Sequence, residues 1–318
     1  NKCSIKECSH LFKKNKMGKY IRYEVVFMSY IQAFLLGIVQ GITEFFPVSS
    51  SGHLVILENL FGMKIQPSVF FHVILHAGTL VAVMLAFSSD IKRLILELLR
   101  LVYDIYYNIR TGIHNGWKQS GRRYRKLVPN NYRKFMLLLI VSSVPTFIIG
   151  MMLEESVRVA SVNLLAPGIG LLITGVLLFI ADFFPTGNKV PKEVSYLVAV
   201  IIGVFQGFAV LPGISRAGVT IVACLLCGLN RKFAIRYSFL LSIPAVIGAV
   251  VLEIVKLNPS EFSAGMAGMS VLGFIAAAVT GCFCIKMMLK IVKRKPFRRF
   301  SVYCFFMAVL AIICSFAL

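Results

Sequence analysis

The sequence contains few charged residues, and acids are the scarcest of them. Only 15% of its 318 residues are charged, and 13 Asp and Glu stand against 34 Lys and Arg, which gives a formal net charge of +21. On a soluble protein this positive excess would suggest nucleic-acid binding. Here the basic residues lie between long apolar blocks, where the positive-inside rule expects them in a membrane protein. The pattern therefore argues against nucleic acid as a partner.

The sequence also lacks a disulfide framework, because six of its eight cysteines lie in apolar runs: Cys224, Cys227, Cys282, Cys284, Cys304 and Cys314. Cys224-x-x-Cys227 has the spacing of a redox or metal pair, but we favour small packing residues in a buried helix. Residues 1–27 show no small-residue cleavage site after an apolar core, so a secretory signal is not expected. We interpret them as a basic leader outside the core, either a cytosolic tail or sequence upstream of the native start.

Apolar residues are abundant instead. They make up 58% of the chain, against about 45–50% in soluble domains. They form eight segments, at about 29–57, 69–87, 135–153, 163–181, 195–229, 233–254, 266–286 and 300–318. Helices are expected, because a bilayer offers backbone polar groups no water. The predicted fold is all-α: one polytopic transmembrane domain at residues 28–318, in a multi-pass membrane protein.

The charges of the loops predict the orientation of these segments. The loop at 88–134 carries eleven Lys and Arg against three acids, and the loop at 286–299 carries seven and no acid. We place both in the cytoplasm. The segment at 195–229 then enters and leaves on the inside, which predicts a re-entrant pair of half-helices. The interrupted segment at 29–57 is interpreted as re-entrant from the outside, although the basic leader favours a full span.

The two interrupted segments resemble each other. Gln40 aligns with Gln206 and Pro47 with Pro212, and a Ser-rich turn ending in Gly follows each proline. With opposite topology, the halves at about 28–181 and 195–318 would form inverted repeats, as in transporters. Their polar turns would then meet near the midplane of the membrane, where ionisable residues are costly and mark function.

Arg216 is the candidate anion ligand of the second turn. Its guanidinium stays charged and offers a planar fork of donors that suits phosphate or carboxylate. Ser215 and Thr220 flank it, and a Gly-rich turn leading into a helix exposes backbone N–H groups at a positive dipole end. The alternative is an arginine that reaches the interface or pairs with a buried acid.

The first turn carries two further patterns. In Gln40-x-x-x-Glu44 the spacing places both side chains on one helix face, as ligands for Mg²⁺ or Ca²⁺, as a general base, or as a neutralising partner of Arg216. In Ser49-Ser-Ser-Gly-His53 a hydroxyl beside an imidazole fits a nucleophile or proton relay, although a helix cap explains the serines equally well. Spacing alone leaves these alternatives open.

Other polar residues in apolar or basic segments receive supporting roles. His72 and His76 form an i,i+4 pair, but a soft metal site needs more ligands than the sequence provides there. His76 is therefore interpreted as a packing or supporting residue. Trp117 and the tyrosines of the basic loop indicate an interfacial amphipathic segment, to which we assign no catalytic role.

The two long motifs, at residues 40–53 and 211–220, closely resemble those of the undecaprenyl-diphosphate phosphatase family, also called the bacitracin-resistance family. The resemblance runs from about Met28 to the C-terminus. It implies a membrane enzyme of inverted repeats that removes one phosphate from undecaprenyl diphosphate and so recycles the carrier lipid for cell-wall synthesis. It also implies a polyprenyl diphosphate lipid as partner, a divalent cation as cofactor and a site open to the extracytoplasmic side.

The resemblance assigns roles residue by residue. It implies metal-binding positions at Gln40 and Glu44, catalytic positions at Glu44, Ser50, His53 and Arg216, and phosphate-binding positions at Ser49, Ser215, Arg216 and Thr220. One departure is Ala217, where the family pattern usually has Ser. Whether Ser50, His53 or an activated water is the nucleophile stays open. The alternative function is a lipid or anion transporter or flippase, because inverted repeats and broken helices also occur in transporters.

Overall fold

The structure is a computed structural model that describes residues 12–14, 20–22, 28–62, 68–118, 121–160, 163–184, 187–256, 264–291 and 296–317. Within these residues the fold is helical, apart from a short antiparallel hairpin of β1 (Phe12–Lys14) and β2 (Tyr20–Arg22) in the leader. The predicted all-α class is confirmed for the part that follows the leader. The two leader strands contain no candidate site residue.

Eleven α-helices follow in the described residues: α1 (Tyr30–Thr43), α2 (Ser50–Leu60), α3 (Ser68–Ala86), α4 (Ser88–Lys118), α5 (Asn131–Ala160), α6 (Leu165–Ala181), α7 (Tyr196–Phe208), α8 (Arg216–Leu226), α9 (Arg231–Lys256), α10 (Ala264–Ile291) and α11 (Arg298–Ala317). A 3₁₀ turn, Pro191–Glu193, precedes α7.

Four of these helices are long and apolar enough to cross a membrane, namely α5, α9, α10 and α11. A fifth candidate is the pair α3 and α4, which is bent by 85° at Phe87. The prediction of a multi-pass membrane protein is therefore confirmed. Among the predicted spans, α6 is apolar but has only 17 residues, and α3 meets the criterion only together with α4.

Both predicted interruptions are present as helix breaks. Residues 44–49 separate α1 from α2, and residues 209–215 separate α7 from α8. Proline is the physical cause in each case, since Pro47 and Pro212 cannot donate a helical hydrogen bond. Serine then restarts the chain: the hydroxyls of Ser49 and Ser215 accept from the N–H three residues later.

The helices that flank the breaks pack in corresponding ways. Helix α1 packs along α10, and α7 packs along α5; α3 lies against α9, and α6 against α11. Glycine allows the close approach in both halves: a Cβ on Gly37 would collide with the carbonyl oxygen of Gly273, and one on Gly203 with that of Ser142. This pairing is what a two-fold axis between the halves would produce. The opposite topology of the halves and the re-entrant course of the breaks stay predictions.

The first break lies in the main hydrophobic core, to which it contributes Phe45, Phe46 and Val48. Phe45, which follows Glu44, is fully buried, and its ring meets that of Phe239 from α9 edge-on at 5.6 Å. The first break is therefore held by packing against a long helix and not by its turn alone.

Candidate active site

The carboxylate of Glu44 is the centre of a buried polar cluster between the breaks. Glu44 directly follows α1 and is only 7% exposed. Gln40 lies one helical turn earlier, and its Nε2 donates to Oε2 of Glu44 at 3.0 Å. The prediction that these two side chains share one face of the helix is confirmed.

Two helix-initiating residues reach this carboxylate from different halves of the chain. Ser50 begins α2, and its hydroxyl donates to Oε2 of Glu44 at 2.7 Å. Arg216 begins α8, and its Nη2 donates to Oε1 of Glu44 at 2.7 Å. The second guanidinium nitrogen, Nη1, donates to the carbonyl of Ser238 on α9 at 3.3 Å. The two polar turns meet as predicted, and of the alternatives for Glu44 the pairing with Arg216 is the one that the structure contains. One carboxylate oxygen binds the first residue of α2, and the other binds the first residue of α8.

His76 on α3 also belongs to the cluster. Its Nδ1 is 3.0 Å from Nε2 of Gln40 and 3.3 Å from Oε2 of Glu44. His76 was expected to be a packing or supporting residue, because the sequence provides too few further ligands for a soft metal site. Its contact with Gln40 joins residues 36 positions apart, so no local sequence pattern indicates it. The imidazole is 30% exposed, so the cluster is accessible from the side of α3.

Burial decides the electrostatics of the cluster. An unpaired carboxylate or guanidinium in an apolar interior is strongly disfavoured. The side chains of Glu44 and Arg216 are 6% and 16% exposed and form an ion pair, so each supplies the counter-charge that the other needs. Glu44 thus occupies the position in which an anion would bind Arg216.

The turn before α2 has an unusual backbone. Ser49 has a φ of 68°, a value that favours glycine, while its hydroxyl accepts from the N–H of Gly52 at 3.2 Å. The hydroxyl of Ser51 accepts from the N–H of Gly213 in the second break at 3.2 Å. A direct hydrogen bond therefore joins the start of α2 to the second break. The positive φ of Ser49 is a strained backbone conformation within this turn.

His53 is buried one turn into α2, but its ring is directed elsewhere. Its Nδ1 lies 2.7 Å from the carbonyl of Ser49, and its Nε2 lies 2.8 Å from the hydroxyl of Tyr303 on α11. Because a carbonyl oxygen only accepts hydrogen bonds, Nδ1 carries the ring proton and donates a hydrogen bond to the carbonyl of Ser49. The ring also stacks on Tyr303 at 5.6 Å. Both ring nitrogens thus have partners outside the serine turn's hydroxyls. The expected hydroxyl–imidazole pair is not the one formed by Ser50, whose hydroxyl donates to Glu44 instead.

The other predicted phosphate ligands use their hydroxyls within the protein. Ser215 accepts from the N–H of Gly218 at 3.1 Å, and its own N–H donates to Oγ1 of Thr174 at 2.9 Å. Thr220 is fully buried and bonds to the carbonyl of Arg216 at 2.7 Å and to the hydroxyl of Ser238. Together with the capping bond of Ser49, these contacts position the turns. A direct role in phosphate binding stays a prediction for all three.

The residues present fit a hard divalent cation in a limited way. Within the described residues, no three His, Cys, Asp or Glu side chains converge as a metal site, so the protein alone forms no cage. Glu44 offers a carboxylate, and Oε1 of Gln40 is buried without a hydrogen-bond partner in the described part of the chain. Such a pair suits Mg²⁺, which is commonly held by one or two carboxylates together with substrate phosphates and water.

A profile of the family described as bacitracin resistance protein BacA matches residues 33–310. The chain belongs to this family. It is similar to the undecaprenyl-diphosphatase of Alkaliphilus metalliredigens, with 37% identity over 91% of this chain and 99% of the relative. The undecaprenyl-diphosphatase of Desulfosudis oleivorans is 41% identical over 87% and 96%, and that of Methanosphaera stadtmanae 38% identical over 91% and 99%.

The BacA family match contains both helix breaks and every candidate site residue. It also contains His76, which the structure adds to the cluster, and Tyr303, which the structure places against His53. The basic leader at 1–27 precedes the matched region. The family therefore corresponds to residues 33–310, which contain the whole cluster around Glu44.

Proposed function

We propose that this protein is an intramembrane phosphatase that removes one phosphate from undecaprenyl diphosphate and releases undecaprenyl phosphate and inorganic phosphate. The observation that carries the proposal is the convergence of Ser50 and Arg216, each the first residue of a helix, on the two oxygens of Glu44. An activated hydroxyl beside a charged anion ligand is what phosphoryl transfer needs. The relatives' name, undecaprenyl-diphosphatase, supplies the substrate.

Arg216 binds the diphosphate in this proposal. The guanidinium already holds an anion, the carboxylate of Glu44, at 2.7 Å. An arriving diphosphate exchanges with that carboxylate, because it offers more charge and bidentate geometry. The N-termini of α2 and α8 lie on either side and add backbone N–H donors and positive dipole ends.

Ser50 is the nucleophile in this proposal. Its hydroxyl donates to Glu44, whereas the hydroxyls of Ser49 and Ser51 accept from backbone N–H groups. Glu44 takes the proton of the Ser50 hydroxyl, Oγ bonds to the terminal phosphorus, and the anhydride P–O bond breaks. Glu44 passes this proton to the departing undecaprenyl phosphate and is a carboxylate again. Water then attacks the phosphoserine: Glu44 accepts a proton from the water, the Oγ–P bond breaks, and Glu44 returns the proton to Oγ as inorganic phosphate leaves.

His53 acts as a positioning residue. Its bond to the carbonyl of Ser49 fixes the strained turn that presents Ser50, and Tyr303 fixes the imidazole from α11. Ser49, Ser215 and Thr220 hold the turns in the same sense.

A divalent cation, Mg²⁺ or Ca²⁺, would be held by Glu44 and by Oε1 of Gln40. When bound, it would neutralise charge on the diphosphate and share in orienting it. The protein's own contribution is to keep Gln40 and Glu44 on one face of α1, with His76 against both.

The protein is proposed to lie in the cell membrane with the site open to the extracytoplasmic side. The positive-inside rule supports this orientation, because it places the basic loops at 88–134 and 286–299 in the cytoplasm. The apolar surface of the long helices supports a substrate whose prenyl tail stays in the lipid. Proteoliposomes of defined orientation with external substrate measure which side hydrolyses it.

The test is phosphate release by the purified protein in detergent, with a polyprenyl diphosphate and with Mg²⁺, Ca²⁺ or chelator. Wild type is expected to release phosphate, and Glu44→Ala and Arg216→Ala to lose release. Asp182→Asn is the matched control, since it removes a carboxylate paired with Arg231 at 3.3 Å outside the cluster. Trapping the phosphorylated protein and mapping it to Ser50 would support the nucleophile; labelling elsewhere would reject it.

The same experiment separates the enzyme from a transporter or flippase. Detergent abolishes any gradient, so a protein that only moves a lipid or anion cannot release phosphate there. Absence of release under every metal condition, from protein that is folded by its melting curve, would overturn the phosphatase.

A further inference from the structure

Helix α4 buries its polar residues and exposes its apolar ones. Its buried residues are polar, since Glu97, Asp104 and Thr111 are 5%, 9% and 3% exposed. They are seven positions apart, which places them on one face of the helix. On the opposite side the apolar residues are exposed by 41% to 62%: Ile95, Leu98, Leu99, Val102, Ile105, Tyr106, Ile109 and Ile113. A helix of a soluble protein shows the reverse arrangement.

The polar face is covered by the chain that returns from α4. Asn115 bonds in both directions with the backbone of Arg122, and Asn108 with the backbone of Arg125, each through its side-chain amide. The amides therefore pair with residues 121–130 as a neighbouring strand would. This segment uses up the polar side of α4 and leaves the apolar side as its free surface.

Arg133 at the start of α5 closes the same face. It is 2% exposed and donates to Glu97 at 2.8 Å and to Asp104 at 2.5 Å. The hydrogen bond from Arg133 holds the pKa of the Asp104 carboxyl below its usual range. The acids of α4 are thus satisfied within the protein: Asp90, the third, pairs with Arg236.

The charge that is left is positive. Lys92, Arg110, Arg122, Arg123 and Lys126 are exposed and have no carboxylate partner in the part of the chain that the structure describes. Lys92 and Arg110 are separated by five helical turns and lie at the edge of the apolar face, where long basic side chains reach from apolar surroundings to lipid headgroups.

We propose that α4 lies in the membrane interface with its apolar face on the acyl chains, and that its basic side chains bind the headgroups of anionic phospholipid. Continuity with the membrane-spanning part supports this occupant. Phe87 alone separates α4 from α3, and the 85° bend turns the chain from the direction of a span to the plane of the bilayer. The apolar span α5 then begins directly after the return segment.

This surface determines which part of the lipid contacts which residues. Acyl chains cover the exposed aliphatic face, and lipid phosphates bind Lys92 and Arg110 at its edge. Helices of high amphipathicity with basic residues next to the apolar face bind anionic bilayers in this way. The return segment, with Arg122, Arg123 and Lys126, faces away from the acyl chains and adds positive potential above the headgroups.

Fluorescence tests the position of the helix, because Trp117 is the only tryptophan of the chain. In a Trp117→Phe background, single tryptophans are placed by Ile109→Trp on the apolar face and by Arg123→Trp on the return segment. The proteins are reconstituted in nanodiscs that contain lipids brominated on the acyl chain. We expect strong quenching for Ile109→Trp and little for Arg123→Trp. Equal quenching of the two positions, or none, overturns the proposal.

A second copy of the chain is the competing occupant of the apolar face. It would shield the tryptophan of Ile109→Trp from brominated lipid, and energy transfer between differently labelled copies would appear in nanodiscs loaded with two copies. That combination rejects the lipid. Quenching that persists in nanodiscs loaded with two copies, without energy transfer between them, supports the lipid.

The choice of lipid is tested by charge removal. Lys92→Gln with Arg110→Gln is compared with Lys192→Gln plus Arg299→Gln, a control that removes two basic charges elsewhere, from the 3₁₀ turn before α7 and from the first turn of α11. The readout is the enrichment of phosphatidylglycerol over phosphatidylcholine around the reconstituted protein. We expect the first pair to lower the enrichment by on the order of tenfold, with the loss shrinking at high salt. No change, or an equal change in the control, overturns the headgroup assignment.

Discussion

The two helix breaks use the same cap and differ in the residue that follows it. Ser49 accepts from the N–H of Gly52, and Ser215 from the N–H of Gly218. The next residue starts the helix in each case, but it is Ser50 in the first break and Arg216 in the second. Both of these bind Glu44, so equivalent positions supply a hydroxyl on one side and a cation on the other.

The acid itself is not duplicated. Counted from Gln40 and Gln206, the position of Glu44 corresponds to Val210 in the second break. The two similar segments therefore contribute unlike groups to one cluster: the first contributes the acid and the hydroxyl, and the second contributes the guanidinium.

The largest expected effect comes from moving the acid to the other half. Glu44→Val with Val210→Glu keeps the number of carboxylates but removes the partner of Ser50 and Arg216. We expect phosphate release to fall by about 10³-fold or more, as for loss of the groups that activate a nucleophile. The measurement is the initial rate of phosphate release in detergent. Substantial activity in this double variant would show that the position of the acid is unimportant.

Val210→Glu alone is the control for that exchange. Val210 is 37% exposed, so a carboxylate there can reach solvent. This variant keeps Glu44 with both of its partners, and we expect most of the activity to remain.

The second largest effect separates Ser50 from the capping serines. Ser50→Ala removes the proposed nucleophile, and a loss of about 10³-fold is expected because the unit of nucleophile and base acts together. Ser215→Ala removes a cap, costs about 1 kcal/mol of stability and should change the rate much less. Rates at saturating substrate, beside melting curves, distinguish them. If Ser50→Ala kept its rate, water would be the attacking group.

Local patterns in the sequence predicted what local chemistry decides. Proline followed by serine and glycine marked both breaks, and the spacing of Gln40 and Glu44 marked a shared face. The meeting of Glu44 with Arg216 followed from the similarity of the two segments. His76 and Tyr303 were not assigned to the cluster, since they approach Gln40 and His53 from 36 and 250 residues away. Only the packing of α3 and α11 brings them there, and no pattern within one helix reports it.

A smaller effect is expected at the residue that the sequence analysis missed. Tyr303→Phe keeps the ring that stacks on His53 but removes the hydroxyl at 2.8 Å from Nε2. In metal-binding histidines, loss of the partner that orients the ring typically lowers activity or metal affinity about 10–100-fold. We expect a fall near the lower limit, in kcat more than in KM, with the melting temperature unchanged. An unchanged kcat would mean that His53 does not need its second partner.

The smallest expected effect is on stability: glycine in place of the capping serine should change the free energy of unfolding in opposite directions in the two breaks. Ser49 has a φ of 68°, which glycine adopts without the penalty of about 1–2 kcal/mol that a Cβ brings in left-handed backbone; Ser215 has a φ of −74°, where glycine brings no relief. Glycine at a cap costs only a few tenths of a kcal/mol relative to serine. Ser49→Gly should therefore raise the free energy of unfolding by about 1 kcal/mol, while Ser215→Gly lowers it slightly. Thermal melts of both variants in one detergent measure the sign, and equal shifts would show that the strained turn at Ser49 is not what distinguishes the two halves.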